Sequence, residues 1–230
     1  MTGSPFIGYK LPIIEAHDDI YKRFKQDSSH GTQRRFVRAM QHYTSGIAHQ
    51  VGHFTANHIP SLKEMLSIRQ LSISIAPVYV LVEYAHGIVL PDEVFEHPVI
   101  QALERLGADF TILSNDILSY RKEEGEGCPF NMIAACRLAG HSAQEAFDTL
   151  GSLLEQRYIQ WDQAIRDLPS WGADVDGEVR RYIDCIQNVV QASISWSFRS
   201  ERYFGKDALE VRRTRKIDVM TVAPYLSVMG

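Results

Sequence analysis

Asn115, Ser119 and Glu123 stand four residues apart and then four again. On a helix that spacing stacks an amide oxygen, a hydroxyl and a carboxylate in one row, one per turn. Three oxygen ligands from one face suit a hard divalent cation, and Mg²⁺ keeps its other positions for water and substrate phosphates. Lys122, one residue before the carboxylate, adds a positive charge that leans toward a phosphate on such a metal. Apolar Leu103, Leu106, Phe110, Leu113 and Ile117 recur at three- and four-residue steps, which predicts a helix beneath the row. Polar residues at this spacing also decorate the solvent face of many helices, so the row alone is a candidate and no more.

The elements that must position the row are read from the rest of the chain. With 230 residues and 45% apolar content, the chain buries a sizeable core as one domain. A formal net charge of −4 gives no electrostatic case for nucleic acid. Cys128, Cys136 and Cys185 are odd in number and lack C-x-x-C spacing, so they read as reduced thiols of a cytoplasmic protein. Met1 to Lys10 lacks the pattern of a secretory signal. No stretch approaches the ~20 apolar residues of a membrane span.

Residues 1–12, with two glycines and two prolines, form an irregular lead-in. Helices are predicted over Ile13–Lys25 and Gln33–His58, and Ser61 with Glu64 makes a capping-box start for the next. Leu62 to Leu90 is apolar almost all round and reads as a central helix kinked at Pro77, with a β-strand as the rival assignment. The row's helix follows His97-Pro98 and ends at Gly125, Gly127 and Pro129. Asn131–Ala139, Ala143–Leu168 and Val175–Phe204 give three more helices. The fold expected is an all-α bundle of about seven or eight helices. Its single domain spans residues 13–205, and a charged tail follows over residues 206–230.

The segment Asn115-Asp116-Ile117-Leu118-Ser119-Tyr120-Arg121-Lys122-Glu123 resembles the second metal motif of class I terpene synthases, (N/D)Dxx(S/T)xxxE. Trp196 to Gly205, with its Arg202-Tyr203 pair, is similar to the C-terminal segment of fungal, basidiomycete-type sesquiterpene synthases. Arg69 precedes Asn115 by 46 residues, the separation at which that family places its diphosphate-sensing arginine. Leu90 to Val94, His97-Pro98, Asn131-Met132 and Ser170-Trp171-Gly172 also fall in the family's order. The resemblance runs from about Asp18 to Gly205. One element is missing: no DDxxD or DExxD precedes Arg69, and the first helices of the family's bundle have no counterpart. His17, Asp18 and Asp19 could supply a substitute metal site but read better as first-turn helix charges.

The resemblance implies a Mg²⁺-dependent enzyme acting on a prenyl diphosphate. Asn115, Ser119 and Glu123 would hold the metal, and Arg69, Lys122, Arg202 and Tyr203 would grip the diphosphate. Tyr79, Phe110 and Trp196, with Phe54 and Tyr84, would line the hydrocarbon pocket. A bundle without its first helices should offer a shallow, wet pocket. The expected reaction is therefore ionisation or hydrolysis of geranyl diphosphate to an acyclic monoterpene alcohol such as geraniol. Two alternatives stand beside it: a sesquiterpene cyclase acting on farnesyl diphosphate and completed as a homodimer, or a non-catalytic relic that binds lipid or a partner.

Overall fold

The computed structural model describes residues 11–55 and 59–226, with the side chains of Phe54 and Leu226 left out. The lead-in up to Lys10 and the pocket role expected of Phe54 therefore lie outside the described residues. Among these, all regular structure is helical. The helices are α1 (Pro12–Asp27), α2 (His30–Thr55), α3 (Leu62–Ser72), α4 (Ile75–Ala85) and α5 (Asp92–Glu96). They continue with α6 (Pro98–Gly125), α7 (Met132–Leu138), α8 (Ala143–Arg166), α9 (Ala173–Arg199) and α10 (Ala208–Thr214).

Local chemistry explains most of the boundaries. Ser61 and Glu64 close a reciprocal cap on α3, and Ser142 and Glu145 close another on α8. The His97 ring accepts the Val99 N–H, and Pro98 fills the first position of α6, where a missing N–H costs nothing. Gly127, at φ 68°, turns the chain away after α6.

The long helix expected over Leu62–Leu90 is instead two. Taken as one stretch, Leu62–Ala85 has the length and apolarity of a membrane span. It breaks at Ser74, which sits in the left-handed region at φ 62°, and α3 and α4 have 11 residues each. Pro77 is not a kink in a continuous helix. It lies in the first turn of α4, whose amides have no intrahelical partner in any case. Restarting the helix one turn earlier is how the chain absorbs the proline.

Helix α6 is the axis of the body. Ile100, Leu103, Ile112 and Leu113 on it are fully buried. One apolar cluster joins its first half to α4, α5, α8 and α9, and a second joins its latter half to α3, α7 and α8. Helices α2 and α3 meet at Gly46, where a Cβ would fall 2.5 Å from Leu71 Cβ and 2.8 Å from the Ser72 nitrogen. The charged segment after Gly205 is built into the body. Ala208 and Val211 of α10 pack with Phe198 and Phe204, while Ala223 and Tyr225 are buried in the second cluster.

Candidate metal centre

Arg69 comes from the last turn of α3 and reaches across to α6. Its Nη2 donates to Asn115 Oδ1 at 2.9 Å and to Asp116 Oδ1 in a shorter ion pair. The neighbouring Asn115 amide nitrogen donates to the Tyr203 hydroxyl at 3.0 Å. One asparagine thus ties the arginine of α3 to the tyrosine that follows α9. Asp116 is fully buried, and its second oxygen takes the Met132 N–H at 2.8 Å. Burial pushes its carboxyl above the ordinary range, while the Arg69 guanidinium and that N–H pull the other way.

Ser119 and Glu123 continue the row. Asn131, the N-cap of α7, donates its amide to Glu123 Oε2 and to the Asp116 carbonyl, each at 2.9 Å. Ser119 is fully buried, and its hydroxyl has no hydrogen-bond partner among the described residues. A buried hydroxyl without a partner is costly. This one sits between an amide oxygen and a carboxylate that are both half-buried, with Glu123 Oε1 uncommitted among the described residues. Amide, hydroxyl and carboxylate oxygens are the donor set a hard cation takes, so these residues fit Mg²⁺.

The remaining expected site residues divide. Arg69 and Tyr203 join the row directly. Arg202 is exposed, its guanidinium 5.9 Å from the centre of the Tyr203 ring, and Trp196 stands edge-on to that ring at 5.9 Å. Lys122 is turned to Glu126 in a 2.6 Å ion pair one turn on. Its tie to the last turn of the helix, absent from the spacing argument, comes from the added acid at four residues. His17 lies 3.8 Å from Asp18, and Asp19 pairs with Arg23, all near the surface. No group of three or more His, Cys, Asp or Glu among the described residues is placed to hold a metal.

The expected aromatic lining is not one chamber. Tyr79 is 3% exposed, faces Gly107, and has a hydroxyl without a partner among the described residues. It lines a half-open cavity of about 390 Å³ between α2, α4 and α6. Phe110 does not: it points to α8 and meets Trp161 edge-on at 6.1 Å, because it lies well round the helix from cavity-facing Glu104, Arg105 and Ala108. Trp196 is 51% exposed at the end of α9 and is also absent from that lining. Nor is the cavity apolar. Arg35 donates to Glu83 and Asp92, Thr32 donates to Glu83 at 2.7 Å, and the Tyr182 hydroxyl donates to Glu104 at 2.6 Å.

Asp116 as the ion partner of Arg69, and Asn131 as the donor to Glu123, were not assigned those roles from sequence. Their sequence signals are the aspartate of the motif resemblance and the Asn131-Met132 pair in the family's order, neither of which names a partner.

Comparison with known proteins shows the family and the fold. Residues 4–160 match the family described as terpene synthase family 2, C-terminal metal binding. The silphinene synthase peniA of Penicillium patulum is 36% identical over 205 residues, which is 89% of this chain and 55% of that protein. A sesquiterpene synthase, Agr3, of Cyclocybe aegerita is 36% identical over 203 residues, 88% of this chain and 57% of that protein. The chain thus spans little more than half the length of these relatives. The crystal structure of an α-eudesmol synthase superposes with a TM-score of 0.77 at 22% identity, over 86% of this chain and 65% of the other. With an all-α body of this shape around an Asn-Ser-Glu row, the chain belongs to the terpene synthase family.

Proposed function

We propose that this chain acts with Mg²⁺ on a prenyl diphosphate as a sesquiterpene synthase, the C15 farnesyl chain being favoured over the C10 geranyl chain. The observation that carries the reading is the convergence of Arg69, Asn115 and Tyr203 on a row that holds a buried, unpartnered Ser119 hydroxyl. Relatives that are sesquiterpene synthases, Agr3 among them, support the C15 length. Bound at Asn115, Ser119 and Glu123, the metal would neutralise charge on a departing diphosphate.

The chain's own residues supply the rest. The Arg69 Nε is buried and has no hydrogen-bond partner among the described residues, so one N–H of its planar fork is uncommitted. Tyr203 accepts from Asn115, which leaves its own O–H proton free to donate. Asn131 fixes the orientation of Glu123. Three free thiols support a reducing, cytoplasmic setting.

Diphosphate release measured from farnesyl and geranyl diphosphates with Mg²⁺ tests the proposal. Farnesyl diphosphate should turn over faster, and Glu123→Gln should lower release about 100-fold or more. Absence of release from both substrates would overturn it. A second reading concerns the product. The polar lining around Arg35, Glu83 and Glu104 favours capture of a carbocation by water, hence an acyclic alcohol. Product analysis decides: alcohols support this reading, and cyclic hydrocarbons as the main products remove it.

A further inference from the structure

Glu123 sits in the last turn of α6, and helix ends fray because their final carbonyls lack intrahelical partners. Asn131 holds it from one side. One residue on, Glu124 points into the body and is buried, so it is no part of the row. It accepts from the Tyr120 hydroxyl at 2.8 Å, from Arg137 Nη1 at 2.6 Å and from the backbone N–H of Met220 at 2.7 Å. Arg137, itself buried on α7, also donates to the carbonyls of Met220 at 3.1 Å and Thr221 at 2.8 Å. The Tyr225 hydroxyl meets that of Tyr120 at 2.5 Å, and Ala223 is fully buried beside them. A buried ion pair is tolerated only when its remaining lone pairs and protons are satisfied. Here one segment of main chain satisfies both partners.

We infer that residues 217–226 form a strap that positions Glu123: by completing the Arg137–Glu124 pair behind it, they set the affinity of the Asn115–Ser119–Glu123 row for a divalent cation. The inference rests on the reading of that row as a metal site. Groups that orient metal ligands typically change metal affinity by about 10–100-fold, and a change of that size is what the strap should produce.

The test titrates Mn²⁺, followed by its paramagnetic resonance signal, into the full chain with inorganic diphosphate present, alongside thermal unfolding. Ala223→Arg, which unseats the strap, should weaken Mn²⁺ binding about tenfold or more, and Tyr225→Phe about threefold. Exposed Val222→Ala should leave it unchanged. Saturating Mg²⁺ should restore diphosphate release in Tyr225→Phe. A purely structural strap would lower the melting temperature and leave Mn²⁺ affinity within about twofold, and that result overturns the inference. If Ala223→Arg does not fold, Tyr225→Phe decides alone by the same criterion. Failure of the unaltered chain to bind Mn²⁺ would instead remove the metal reading of the row, and the strap with it.

Discussion

Arg69 is committed to two acceptors that differ in kind. Asn115 Oδ1 is half-buried and neutral, whereas Asp116 is wholly buried and charged. Truncating one member of a buried pair leaves the other charge stranded, so Asp116→Ala should cost about 3–5 kcal/mol in denaturant unfolding. Arg69→Lys keeps the charge but loses the fork, and should lower diphosphate release by about 100-fold with little change in unfolding midpoint. The row itself was readable because a four-residue period is a property of the helix. Asp116 was not, because one residue on is about 100° round the helix, and only packing against α7 turns that direction into a contact. The Lys122–Glu126 pair was not read from the sequence for a related reason: a flexible cation takes the nearest acid, and Glu126 is one turn away.

At the scale of elements, caps were legible and the break was not. Ser61 with Glu64 announces its turn from side-chain chemistry alone. The interruption lies at left-handed Ser74, with α3 and α4 sharing α2 and α6 but differing in α7 and α9, while Pro77 lies three residues later. A left-handed non-glycine residue costs roughly 1–2 kcal/mol, and the Ser74 side chain makes no capping bond. Ser74→Gly should therefore stabilise the fold, by about 0.5 kcal/mol once the extra freedom of glycine in the unfolded chain is subtracted. A shift of the denaturant midpoint upward checks it. Gly107 is the opposite case. A Cβ there would meet the Tyr79 hydroxyl and fall 2.5 Å from Ile186 Cγ2, so Gly107→Ala should destabilise by about 1–3 kcal/mol.

For the whole molecule, the all-α bundle was readable from periodicity, but its central helix was expected at Leu62–Leu90 whereas α6 is the axis, and the polarity of the interior was not readable. Arg35, Glu83 and Glu104 look like surface charges in sequence, and only tertiary packing draws them round a cavity. Burial lifts the Glu104 carboxyl above its usual 4.5, against the pull of the Tyr182 hydroxyl. The folded chain then keeps this proton where the unfolded chain releases it. The contribution of Glu104 to stability is accordingly full below about pH 4.5 and is lost as pH rises toward the raised folded value. Glu104→Gln should flatten that decline and be the more stable form at neutral pH, as unfolding midpoints at a series of pH values would show.

The crossing of α2 and α3 at Gly46 carries a lesson for redesign. Gly46 lies directly against the Leu71 Cβ and the main chain of Leu71 and Ser72, so residue size, the ordinary dial for spacing two helices, has no setting left to turn. A wider or narrower interior must be sculpted elsewhere, and Ala39, Ala76 and Ala108, whose methyl groups already face the hollow, are the places where a chisel would bite.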